Sequence, residues 1–141
     1  MYRTKKEHRL YNKLKLENKN SNICSLCDLS KNKIIYQNNS ISLVHNKFPY
    51  SYWENRKVID QLMIVPKQHS KDLKSLSISA KEQIFSIIFE YESKGYDVYV
   101  RGAGSSSRSV AGHVHVHLIK TKDKIANLSI SLENPYFLFV K

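Results

Sequence analysis

The amino-acid sequence predicts an α+β domain with a largely antiparallel sheet. Three observations carry this. Short apolar, β-branched runs lie on both sides of one segment with clear helical periodicity. The first two of these runs are spaced like a hairpin. The order of the elements suits a sheet with its helices segregated from it.

The elements follow in order. Residues 1–20 have little apolar patterning and read as a helix or a basic arm. Residues 33–36 and 41–45 read as two short strands across a turn at 37–40. Residues 46–60 read as a loop carrying Pro49, Tyr50, Tyr52 and Trp53. The apolar run 61–65, ended by Pro66, reads as a buried strand. A short helix is expected over 70–76 and the main helix over 79–94. For the latter, Ser79 and Glu82 fit a capping box. Ile84, Ile87, Ile88 and Tyr91 recur at helical spacing, and Gly95 is a plausible stop. Residues 97–101 alternate like a strand, 102–112 form a loop of small residues, and 113–119 and 136–140 read as strands. No internal repeat is present.

A length of 141 residues is one domain's worth, and 41% hydrophobic with 11% aromatic residues is well above the disordered range. No run of about eighteen apolar residues occurs, so no membrane span is expected. The charged start MYRTKKEHRL has no apolar core, so no secretory leader is expected and a cytoplasmic protein is the default. The net charge of +11 attracts polyanions such as nucleotides, nucleic acid or anionic membrane, although a lysine-rich composition alone gives the same value. Cys24 and Cys27, in Cys-Ser-Leu-Cys, have the spacing of a metal half-site or a redox pair.

The chemistry concentrates in Gly112-His-Val-His-Val-His-Leu-Ile119. Strand side chains alternate, so His113, His115 and His117 share one face, about 7 Å apart, and Val114, Val116 and Leu118 face a core. A neutral imidazole can attack phosphorus while a second holds the transferring oxygens. The preceding loop, residues 102–109, has glycines that let backbone amides approach an anion, hydroxyls that donate, and the planar fork of Arg108. A metal cluster is the competing reading of the same histidines.

At these residues the chain resembles the histidine triad (HIT) superfamily of nucleotide hydrolases and transferases. The signature His-φ-His-φ-His-φ-φ reads here as His113 to Ile119. Leu62 to His69 is similar to the family's apolar strand ending in Pro-Lys-x-His. Residues 46–50 resemble its nucleoside-binding turn, and Cys24 to Cys27 its N-terminal Cys-x-x-Cys. The similarity spans about residues 22–121, which leaves 1–21 as a basic N-terminal arm or helix and 22–141 as the HIT-like domain.

The resemblance implies a HIT-like fold, with a mainly antiparallel five-stranded sheet, one long helix and short helices. It implies His115 as the nucleophile of a nucleotidyl-histidine intermediate, His117 on the reacting phosphate and Ser109 near the leaving group. It implies Asn46 on ribose, Phe48 and Pro49 along the base pocket, and a homodimer. In zinc-containing members the matching positions are Cys24, Cys27, His69 and His113, a closed and therefore structural site. The implied substrate is a nucleoside phosphoramidate or a dinucleoside polyphosphate, with adenosine or guanosine as the base. The alternatives are a nucleic-acid-associated member acting on adenylated DNA ends and a non-catalytic nucleotide-binding module. The DNA-end reading is favoured by the charge but lacks a recognisable C-terminal zinc finger.

The sequence departs from the family pattern in three places. An insertion-like stretch, 51–60, brings Tyr52 and Trp53 as candidates for base stacking. Ser109 precedes His113 by four residues, the spacing that resembles the dinucleoside polyphosphate branch. Arg101 stands where the family often has an uncharged residue. His8 and His45 match no family position and read as surface or loop residues.

Overall fold

A computed structural model describes residues 3, 5–19, 24–30, 32–108, 110 and 112–125. Helix α1 (Lys5–Lys19) is followed by strands β1 (Ile34–Gln37), β2 (Ile41–His45), β3 (Tyr52–Trp53) and β4 (Arg56–Pro66). Helix α2 (Ile78–Glu92) and strands β5 (Asp97–Val100) and β6 (Val116–Ile125) complete the described chain. The strand expected over 136–140 lies outside the described residues.

Every strand pair is antiparallel. Five strands run in the order β1-β2-β4-β6-β5, and β3 pairs with β4 off this path, so the sheet has six strands where five are expected. The sixth comes from the stretch read as a loop. Tyr52 and Trp53 fold back on Lys57 and Arg56. The turn between them uses Glu54 and Asn55, both at positive φ, 46° and 61°. Two consecutive positive φ values match the right-handed twist of a tight hairpin. Asn tolerates this conformation readily; Glu does so at a cost.

The main helix starts earlier than a capping box at Ser79 would place it. Ser77 is the N-cap, and its side chain accepts from the Ala80 backbone N–H. The Ser79 hydroxyl instead meets that of Ser40 at 3.0 Å. Gly95, at φ +79°, ends the helix region as expected. The short helix expected over 70–76 does not form. Asp72 accepts from the Ser75 backbone N–H and the Ser70 hydroxyl donates to the Asp72 carbonyl, local bonds that compete with a helix.

The sheet has two distinct faces. On one, Ile41 and Leu43 of β2, Leu62 and Ile64 of β4, and Val116 and Leu118 of β6 pack with Leu76 and with Ala80, Ile84 and Ile87 of α2. On the other, Val44, Met63 and Val65 pack under Leu26. Met63 pairs directly with His117, and His117 with Tyr99, so these residues share the second face. That face carries the site.

Candidate functional site

The regular strand begins only at Val116, three residues later than expected, and runs on to Ile125. His113 and His115 therefore sit in the irregular approach to β6. The alternation survives: Val114 joins the α2-side core, and all three histidines are buried on the opposite side, at 0%, 7% and 6% exposure for His113, His115 and His117. The His115 and His117 rings are 4.8 Å apart and edge to face.

Each triad histidine has one ring nitrogen whose role is decided by its partner. A carbonyl can only accept, so His113 donates from Nε2 to the Pro66 carbonyl at 2.8 Å and is left with a lone pair on Nδ1. His115 donates from Nδ1 to the His113 carbonyl at 3.1 Å and keeps its lone pair on Nε2. His117 Nδ1 lies 3.1 Å from the Gln61 side-chain nitrogen.

Burial is the main reason all three resist protonation. It lowers the pKa of His113 and His115, and the nearby Arg108 guanidinium adds to the effect in both. His117 is pushed down to about 3, first by burial and then by His115, Arg101 and Arg3. His115 is thus an uncharged imidazole with an exposed-electron-pair nitrogen at neutral pH, the form a nucleophile requires.

The His113 lone pair faces two thiols. The sulfurs of Cys24 and Cys27 each lie 3.5 Å from His113 Nδ1, and Cys27 sulfur lies 3.1 Å from His69 Nδ1. All four ligand atoms fall within 4.8 Å of one another. A tetrahedral zinc, with bonds of about 2.3 Å to sulfur and about 2.0–2.1 Å to nitrogen, sets sulfur–nitrogen edges of about 3.5 Å. The residues therefore fit that ion, and the Pro66 carbonyl orients the His113 ring from behind, as ligating histidines require. Gly112 makes room for this: a Cβ there would come within 3.3 Å of His69 Nε2.

The remaining expected residues are distributed around this centre. Ser109 lies outside the described residues. Arg108 is buried at 8% exposure, and its guanidinium donates to the Lys71 carbonyl at 2.5 Å. Asn46 accepts from the Phe48 backbone N–H, which tightens the turn that carries Pro49 and Tyr50. Asn46, Pro49, Tyr50 and Tyr52 line a cavity of about 410 Å³ together with Glu7 and Gln61. Phe48 meets the Tyr11 ring edge-on at 5.7 Å. Trp53 packs between Tyr50, at 6.1 Å, and Tyr99, at 4.9 Å, and both tyrosine rings lie about 6 Å from His117. Arg101 lies over Tyr99 and bonds the Ser107 hydroxyl. His45 ends β2, as the strand expected over 41–45 requires, and faces Asp60 at 3.6 Å.

Two contributors were not foreseen. The first is α1, which is tied to the 48–51 turn. Arg3 donates to the Phe48 carbonyl at 3.0 Å and stacks over Tyr11 and Tyr50, and Glu7 accepts from the Ser51 hydroxyl. Its polar composition hid this, because the docking uses Glu7 and Tyr11 of the helix and Arg3 just before it rather than an apolar stripe. The second is Gln61, whose side-chain carbonyl accepts from the Tyr50 backbone N–H at 2.7 Å. Its only trace in sequence is a polar residue opening an apolar strand.

No protein-family model matches the chain, and no curated protein does. Solved structures do. A HIT family hydrolase from Clostridium thermocellum is similar at 19% identity and a TM-score of 0.55, over 73% of this chain and 94% of its own. A zinc-bound histidine triad family protein from Mycobacterium smegmatis is similar at 14% identity and 0.55, over 73% and 79%. A histidine triad nucleotide-binding protein from Candida albicans is similar at 16% identity and 0.56, over 81% and 85%. At these identities the likeness is one of fold.

Proposed function

With the histidine triad fold as the frame, we propose that this protein is a nucleotidyl hydrolase or transferase. It cleaves a nucleoside phosphoramidate or a dinucleoside polyphosphate through a nucleotide bound to His115. One observation carries the reading: His115 is held by its Nδ1–H on the His113 carbonyl, which leaves the lone pair of Nε2 as the nucleophile. Nε2 attacks phosphorus, the bond to the leaving group breaks, and water or another acceptor then displaces the histidine. His117 steadies the phosphoryl oxygens, and Ser109 assists at the leaving group. The Asn46 turn, with Phe48 and Pro49, receives the nucleoside, and Arg108 adds positive charge beside the triad. The adenosine or guanosine preference is read out with a substrate panel. His115→Ala abolishes turnover and the nucleotidyl adduct, while the far-ultraviolet spectrum and zinc content stay at wild-type levels.

Cys24, Cys27, His69 and His113 would hold a structural zinc ion, which leaves no open position for substrate. The supporting observation is the convergence of four ligand atoms within 4.8 Å of one another, with three sulfur–nitrogen distances of 3.5, 3.5 and 3.1 Å. The ion would brace the lead-in to β6, so stripping it with a chelator lowers the melting temperature, and zinc restores it. Wild-type stability in a metal-free preparation would exclude the site.

We read the protein as a cytoplasmic homodimer. Among the described residues β5 is an outer strand of the sheet; it carries exposed Val98, and the adjacent α2 exposes Ile78, Phe85 and Phe89 at 74%, 56% and 66%. Apolar exposure beside an outer strand supports pairing there. Sedimentation of Phe89→Glu, expected as a monomer, tests it.

A further inference from the structure

Gln61 has no role in the chemistry given so far, yet it is only 3% exposed and both ends of its amide are engaged. The Tyr50 backbone N–H can only donate, so the Gln61 carbonyl oxygen must be the atom that faces it at 2.7 Å. The amide nitrogen is then the atom that faces His117 Nδ1 at 3.1 Å, and it donates. A ring nitrogen that accepts carries no proton. Neutral His117 therefore holds its proton on Nε2.

We propose that Gln61 is a positioning residue that locks His117 as an Nε2–H donor, so that His117 holds a phosphoryl oxygen and is not the acid that protonates the leaving group. The catalytic half of this rests on the nucleotidyl-transfer reading above; the tautomer lock does not.

The chemistry follows from proton accounting. If His117 gave up its Nε2 proton while Nδ1 accepts, an imidazolate anion would remain in a buried site, which is strongly disfavoured. Gln61 cannot replace the proton, because a primary amide donates hydrogen bonds without ionising. Protonating Nδ1 instead would set two N–H donors against each other. The cations of Arg101, beyond β5, and Arg3, in the N-terminal segment, oppose this as well, and His115 in the β6 lead-in adds to them only when it is itself protonated. In the transfer step His115 Nε2 bonds to phosphorus, the leaving group departs with the electron pair, and its proton comes from water. The His117 proton stays where it is.

Gln61 also joins His117 to the turn that ends at Tyr50, whose ring lies 6.0 Å from the imidazole. The orientation of His117 is thereby coupled to the segment proposed to receive the nucleoside.

Nitrogen NMR of the full chain, labelled at histidine, reads the tautomer without substrate. In the wild type, His117 Nδ1 is unprotonated and Nε2 protonated throughout about pH 5 to 8. Gln61→Glu places an acceptor opposite Nδ1 and moves a proton onto it. With adenosine 5′-phosphoramidate as the probe, Gln61→Glu lowers kcat by about a hundredfold, changes KM by less than about threefold, and adds a pH-dependent limb absent from the wild type. A protonated Nδ1 in the wild type overturns the lock. So does a Gln61→Glu variant with the wild-type nitrogen spectrum, kcat and pH profile. The wild-type spectrum needs no substitution, so it remains decisive where a variant fails to fold. Failure of the wild type to turn over the probe and a panel of dinucleoside polyphosphates would overturn the nucleotidyl-transfer reading, and the spectrum would still uphold or overturn the lock itself.

Discussion

The two faces of the sheet are built from the same strands and do different work. Strand β4 sends Leu62 and Ile64 to the α2 side and Gln61 and Met63 to the other; β6 sends Val116 and Leu118 one way and His117 the other. The α2 face is almost wholly aliphatic. The opposite face buries Ser42, Gln61 and three histidines, each with specific hydrogen-bond demands. A period of two lets neighbouring residues answer to different requirements, one to packing and the next to chemistry. The aliphatic face supplies the rigidity on which the buried polar face depends, because polar groups are tolerated inside only when their partners are held in place.

Substitutions that separate the faces test this division. The largest effect is expected from His115→Ala, which lowers turnover by about a thousandfold or more and leaves the unfolding midpoint near wild type. Leu118→Ala, three residues further on, within β6 and on the fully buried α2 face, does the opposite. It costs about 2–5 kcal/mol in urea unfolding, while kcat of the folded fraction changes only a few-fold. Exchanged signatures would dissolve the division.

Acid sharpens the contrast. His117 is pushed down to about 3 in the folded chain against about 6.5 unfolded, so above pH 6.5 both states are neutral and the group is silent. As pH falls below 6.5 the unfolded chain takes up the proton and the folded chain does not. Stability therefore drops, by up to about 1.4 kcal/mol per pH unit for this group, until the folded value is passed. His117→Gln removes that contribution, so its unfolding free energy falls less steeply between pH 6.5 and 5. Equal slopes for the two proteins would rule it out. The smallest effect belongs to the α2 side: Ser77→Ala removes the helix cap and costs about 1 kcal/mol with no change in kcat, whereas Ser79→Ala costs less.

The same contrast explains what was legible in the sequence. The aliphatic face was readable because alternation and helical spacing are local patterns: Ile84 and Ile87 of α2, and Val114, Val116 and Leu118, all lie in the core as their spacing requires. The histidines were readable for the same reason, and so was the Cys24, Cys27, His69 and His113 grouping once the family resemblance had been drawn. Features decided by distant partners were not readable. Ser77 and Ser79 are both acceptable cap residues by type; Ser77 takes the cap, and Ser79, inside the helix, meets Ser40 from 39 residues away. The β3–β4 hairpin turns on Glu54-Asn55 without a glycine to announce it. Gln61 acquires meaning only through Tyr50 and His117, eleven and fifty-six residues away.

In the proposed reaction Nε2 of His115 is the nucleophile of a nucleotide-handling site. Intact-mass measurement of acid-quenched protein, after reaction with a panel of adenosine and guanosine phosphoramidates and dinucleoside polyphosphates, tests it directly. One nucleotidyl group per chain is expected, mapped to His115 and absent from His115→Ala. Turnover by His115→Ala at the wild-type rate, or an adduct on another residue, would contradict it.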